Sequence, residues 1–240
     1  MRIDRRSETL TFRGPHGEPF VIEAHAPFAA LLLGGSWAYS FSRELWFTVP
    51  LMALVVLVSI ALHEIAHARV AVRMGMVPVR TVVHGLGGYV EIVDPAPSYV
   101  RDVRVALAGP AANLAIGVTL LAFAETAPLP NPGGFEIDER FVPYPSLEPV
   151  WVGVARGAGW LNVALAALNM LPAFPLDGSA VLVGLLSRVM NAQRARRAVA
   201  RIGLALAYLQ LALSLVGIAI GLLVWPFIRP ESNRAVLLEG

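Results

Sequence analysis

His63-Glu64-Ile65-Ala66-His67 lies near the end of an apolar run that starts at Trp46 and reaches about Val72. At helical spacing His63 and His67 stack on one face, so both imidazoles can bind one Zn²⁺. Glu64 stands beside that face, where its carboxylate can take a proton from water. The set is that of a metal-dependent hydrolase. A lone histidine in an apolar segment is more often a hydrogen-bonded core residue, and the five-residue pattern arises by chance in on the order of one chain in a few hundred. The setting decides between these readings. Two histidines and a glutamate sit within one turn of a segment of lipid-spanning length, where a charge at mid-membrane costs roughly 2.5–3.5 kcal/mol, so they need a functional or pairing reason.

Composition fits a membrane setting. The chain has 240 residues, 56% of them hydrophobic and 15% charged, with a mean hydropathy of +0.64; soluble domains run nearer 45–50% apolar and about 25% charged. Without cysteine there is neither a disulfide nor a thiolate ligand, so any zinc site must be built from His, Asp and Glu. All 19 basic residues are arginine, which reads as codon usage. The pI near 9.4 reflects arginine at membrane edges and gives no argument for a nucleic-acid partner.

Outward from the histidine helix, residues 1–26 are polar and basic. Thr9-Leu10-Thr11-Phe12 and Pro19-Phe20-Val21-Ile22 flank a Gly-Pro-His-Gly turn, which predicts a short hairpin. His16 and His25 read as surface residues, and no signal-peptide pattern is present. Pro27 to Phe41 is a first membrane helix, marginal in length. After the histidine helix ends near Gly75, Val77–Val83 and Tyr89–Val93 read as strands around His84-Gly85-Leu86-Gly87-Gly88. The paired glycines fit a plain hairpin turn, or a bare strand edge that another backbone can approach closely. His84 is a weaker candidate for approach to the metal. A third apolar helix, about Val103 to Ala124, carries Gly109-Pro110-Ala111-Ala112-Asn113. Its small residues suit close helix packing in lipid, while Asn113 needs a partner, either a backbone carbonyl in a neighbouring helix or the active site.

Residues 125–150 form a Pro/Gly-rich loop with five acids against one Arg140, whereas residues 69–104 hold five arginines and 188–201 hold five more with no acid. The positive-inside rule places the two basic regions in the cytoplasm and the loop outside, which puts the metal site toward the cytoplasmic side. A further helix runs from Val150 to Leu171, and Pro172 and Pro175 then break it. Irregular backbone at membrane depth is tolerated where protein or a water-filled cavity receives it. Asp177, just past the break, supplies a carboxylate that completes three zinc ligands with His63 and His67 and leaves a fourth position for water. A short amphipathic helix to about Met190, the arginine cluster and a long apolar run from Ile202 to Phe227 follow. Arg156 and Trp160 read as helix-end or interface anchors.

Taken together, His63-Glu64-x-x-His67, Gly87-Gly88-Tyr89-Val90, Gly109-Pro110-x-x-Asn113 and Asn169-x-x-Pro172-x-x-Pro175-x-Asp177-Gly178, in that order, resemble the site-2 protease family of intramembrane zinc metalloproteases. The resemblance covers roughly residues 50–190. It implies zinc on His63, His67 and Asp177, Glu64 as catalytic acid/base, and Asn169 in contact with substrate or the developing oxyanion. It also implies Gly87, Gly88 and Asn113 as substrate-binding positions. The expected fold is an all-α polytopic membrane protein with about five to six transmembrane helices and a small membrane-associated β-hairpin. Residues 1–26 form a cytoplasmic N-terminal segment, 27–227 the protease domain and 228–240 a tail. The expected reaction is cleavage of transmembrane segments of membrane-protein substrates in the lipid bilayer of a prokaryotic cell.

Two departures stand out. Ser179 replaces the second glycine usual after Leu-Asp-Gly, and the length leaves no room for the PDZ or CBS domains that some members carry. One rival is a zinc protease class whose third ligand is a glutamate on a later helix. Among the acids after His67, Asp177 alone lies in a proline-broken membrane segment. The other is a non-proteolytic zinc-binding or metal-transport protein, which would spread its polar residues over several helices.

Overall fold

The structure, a computed structural model, describes residues 2–4, 9–23, 48–84, 87–96, 98–127, 134–137, 140–143, 149–219 and 236–238. Its main helices are α1 (Thr48–Arg73), α2 (Tyr99–Thr126), α3 (Val150–Asn169), α4 (Asp177–Leu186) and α5 (Ala192–Ala219). Among the described residues, three segments are long and apolar enough to cross a membrane: Pro50–Arg73, Tyr99–Thr126 and Trp151–Asn169. At 10 residues α4 is too short to do so. The expected helix at Pro27–Phe41 lies outside the described residues, as does the end of the apolar run beyond Ala219.

Each helix boundary has a local cause. α1 stops in a Schellman turn, where the Met76 amide donates to the Ala71 carbonyl and the Gly75 amide to that of Val72, both at 3.0 Å. Gly75 takes the required left-handed conformation at φ +76°. Met76 then packs on Ala71 and on Val105 of α2, which fixes the exit direction of the chain. α3 ends at Asn169 and α4 begins at Asp177, so the two prolines fall in the break between them.

α2 is the central helix, packed against α1, α3 and α4. Its contact with α3 is backbone to backbone. A Cβ on Gly117 would lie 2.9 Å from the Gly159 carbonyl oxygen and 2.8 Å from Val163 Cγ2. Lipid gives no hydrophobic drive for helix association, and such small-residue contacts supply the van der Waals packing instead.

The strands are more extensive than two isolated hairpins. β1 (Arg2–Asp4), β2 (Thr9–Arg13), β3 (Pro19–Glu23), β4 (Val77–His84) and β5 (Gly87–Val93) form one sheet in that order. β3 runs parallel to β4, pairing Phe20 with Thr81, Val21 with Val82 and Ile22 with Val83. The other pairs are antiparallel. A parallel pair needs a long crossover, which here includes α1, and a crossover leaves no trace in local periodicity. Phe20 and Val83 bury themselves against Ala53, Val56 and Ile60, so the sheet lies along α1. Residues 125–150, expected as a plain loop, hold a second small hairpin, β6 (Gly134–Ile137) with β7 (Arg140–Pro143).

Candidate metal centre

His63 and His67 are 5% and 6% exposed on the inner face of α1. Asp177 reaches them from the first turn of α4, which the turn at 170–176 delivers to that depth. A Cβ on Gly178 would come within 2.6 Å of the Leu171 carbonyl oxygen, so the turn closes only over a glycine. Ala173, fully buried, anchors the turn on Ala207 of α5. Ser179, at the position where the sequence departs from the related pattern, folds its hydroxyl back to donate to the Leu176 carbonyl at 2.7 Å. That bond steadies the start of α4 and leaves Asp177 free.

The three donors converge. His63 Nε2 lies 3.0 Å from Asp177 Oδ2 and 3.0 Å from His67 Nε2, and His67 Nε2 lies 3.3 Å from Asp177 Oδ2. Tetrahedral zinc bonds of about 2.0–2.1 Å set donor atoms about 3.3–3.4 Å apart, so an ion enters with adjustments of a few tenths of an ångström. Two imidazoles and one carboxylate are a donor set found in catalytic zinc sites. Among the described residues this is the one group of His, Asp or Glu side chains close enough to hold a metal ion.

The outer contacts of the site come from α2. His67 Nδ1 lies 2.7 Å from the Val105 carbonyl oxygen; a carbonyl can only accept, so Nδ1 carries the proton and Nε2 keeps its lone pair for a metal. One turn on, a Cβ at Gly109 would stand 2.5 Å from His63 Nε2 and 2.6 Å from His63 Cε1. Only a glycine lets α2 come this close to the ligand atoms.

The sequence profile of peptidase family M50 matches residues 51–142 and 144–210, well over half of the chain. The chain belongs to peptidase family M50, the site-2 protease family. A zinc metalloprotease of Methanocaldococcus jannaschii is 27% identical over 223 residues, 91% of this chain and 59% of that one. Rip3 of Mycobacterium tuberculosis is 31% identical over 174 residues, 72% of this chain and 40% of Rip3. The chain thus spans between two fifths and three fifths of the length of these relatives. In fold it resembles the site-2 protease of M. jannaschii, with a TM-score of 0.63, 22% identity, and coverage of 95% of this chain and 94% of that one.

Around the His63, His67 and Asp177 group of this M50 chain the remaining candidate residues fall at different distances. Glu64, 5% exposed, lies under the start of β5, where a Cβ on Gly88 would be 2.7 Å from Glu64 Cγ and 2.8 Å from its Oε1. Gly87 pairs with His84 at the hairpin end. β5 is the outer strand of the sheet among the described residues. Asn169 is the last residue of α3, eight positions before Asp177. Asn113, 1% exposed, lies one turn beyond Gly109. His84 stands outside the ligand group, its ring 6.3 Å from that of Tyr89. His16 is exposed, and His25 lies outside the described residues. Arg156 pairs with Glu125 at 3.5 Å, and Trp160 is 53% exposed.

Three features escaped the sequence reading. The Val105 acceptor is a backbone group and has no residue signature. Gly109 read as close helix packing and as part of a motif, with no sign that it lies against the histidines. Asn162 of α3, 1% exposed, donates at 3.0 Å to Ser59 Oγ, one turn before His63. A buried asparagine in an apolar helix was the available signal for that pair.

Proposed function

We propose that this protein is an intramembrane zinc endopeptidase that cleaves peptide bonds in transmembrane segments of other membrane proteins. The observation that carries this reading is the convergence of His63, His67 and Asp177 beside the buried carboxylate of Glu64, with His63, Glu64 and His67 on a helix long and apolar enough to cross a membrane. Family membership supports it.

His63, His67 and Asp177 would hold the zinc, which when bound would supply a Lewis acid for the scissile carbonyl and a water of lowered pKa. Glu64 takes the proton of the attacking water and returns it to the leaving amine. Asn169 donates to the developing oxyanion. A helical peptide bond is shielded by its own hydrogen bonds, so the substrate must unwind before it reaches Glu64. The outer edge of β5, at Gly87 and Gly88, takes the unwound segment by strand pairing. The absence of a side chain at Gly88 gives the new strand access to the carboxylate beneath.

Arginine-rich segments at 69–104 and 188–201 support a cytoplasmic location for this end of the helices. The archaeal and mycobacterial relatives support a prokaryotic cell membrane. The test is cleavage of a tagged transmembrane substrate in detergent by protein of known zinc content. Cleavage should stop when zinc is chelated and resume when it is restored; cleavage that persists in zinc-free protein contradicts the proposal.

A further inference from the structure

α2 meets the metal helix through one stripe of residues spaced four apart. Val105 accepts from His67 Nδ1, and Gly109 lies against the Nε2 atoms of both histidines. Asn113 comes next. α2 therefore runs antiparallel to α1, and each step of four along α2 matches one turn back along α1, from His67 to His63 and on toward Ser59. The His63 side chain leans the same way, because Cα–Cβ bonds tilt toward the helix N-terminus.

Two buried polar side-chain atoms on α1 and α2 have no partner among the described residues: His63 Nδ1 and Asn113 Oδ1. They are complementary. If His63 Nε2 binds the metal, Nδ1 must carry a proton and needs an acceptor, and an amide oxygen is one. Asn113 lies between Gly109, which faces α1, and Gly117, which faces α3. Its buried amide is therefore directed into the junction of the three helices. A lone unsatisfied donor or acceptor is costly in apolar surroundings, and here one bond would satisfy both.

We infer that Asn113 is a positioning residue for the metal centre: its Oδ1 accepts the His63 Nδ1 proton, by rotation of the side chain or through one buried water. α2 thus supplies an outer acceptor to each zinc histidine, the Val105 carbonyl to His67 and the Asn113 amide to His63, with Gly109 as the gap between them. Asn113 thereby acts on His63 and leaves substrate contact to other residues. The inference rests on His63, His67 and Asp177 holding the metal.

The experiment measures zinc affinity by chelator competition on purified full-length protein in detergent. It compares wild type with Asn113→Leu, Asn113→Ala and Asn113→Asp, alongside thermal unfolding of each metal-free protein. Loss of the acceptor should weaken zinc binding about 10–100-fold in the Leu and Ala variants, as is usual for outer contacts of zinc histidines. Asn113→Asp keeps an acceptor and should restore affinity. The cobalt-substituted Leu and Ala variants should show a changed absorption spectrum, since the His63 ring is no longer held. The metal-free unfolding temperatures are the control for a general loss of packing, since the loss of zinc affinity should exceed what any fall in them accounts for; the Ala variant carries the reading if Leu does not fold. Zinc affinity within about threefold of wild type in the Ala variant, or an Asp variant as weak as Ala, overturns the inference. Lower metal-free stability with unchanged affinity overturns it too. In those outcomes wild type still binds zinc, so the metal centre stands; wild type that binds none overturns both.

Discussion

Asn169 and Asp177 show what the seven residues between two helices accomplish. Pro172 and Pro175 cannot continue the hydrogen-bond ladder of α3, and the chain turns back so that Asp177 meets His63 and His67. Asn169 is the last residue of α3 before that break, and the proposed mechanism uses its amide as an oxyanion donor. Asn169→Leu should therefore lower kcat about 10²–10³-fold and leave zinc content and KM close to wild type. A kcat within a few-fold of wild type in steady-state cleavage assays would remove Asn169 from that role. At this scale the sequence was most informative. The four-residue spacing of His63 and His67 and a carboxylate after a proline break are chemical statements that need no coordinates. The Val105 carbonyl was illegible because every residue has one, and Asn162 because its partner Ser59 lies more than 100 positions away, across a helix interface.

Among the elements, β5 and α1 form the working pair. Gly88 brings the strand against Glu64, and the strand's other edge is the one proposed to take substrate. Gly88→Val would drive a branched side chain into the Glu64 carboxylate and the Val82 carbonyl. A displacement of about 1 Å at a reacting group can cost on the order of 10²-fold, so kcat/KM should fall by that much with zinc content unchanged. Retained activity in the same assay would show that Glu64 does not depend on the strand. Helices α1, α2 and α3 were legible as apolar runs, to within a few residues at each end, and the β2–β3 and β4–β5 hairpins were legible from their turn residues, whereas the β6–β7 hairpin was read as loop. The parallel pairing of β3 with β4 was not. It depends on Phe20 and Val83 sharing the surface of α1, a tertiary contact between segments about sixty residues apart.

For the whole molecule, the distribution of arginine is the basis of the proposed orientation in the membrane. The absence of native cysteine makes this simple to test. A single cysteine at Val189, 80% exposed between α4 and α5, should be protected from a membrane-impermeant maleimide in intact cells, and one at Glu136 in β6 should react. The reverse pattern would place the metal centre on the other side. Above orientation stands the claim that this fold hydrolyses peptide bonds, with His63, His67 and Asp177 holding zinc and Glu64 moving the proton. The decisive measurement is zinc content together with cleavage of a tagged transmembrane substrate, wild type against Glu64→Gln. The account predicts about one zinc in each protein and a product band from wild type alone, since a general base contributes about 10²–10⁴-fold. Equal cleavage by the two proteins, or zinc in neither, would contradict it.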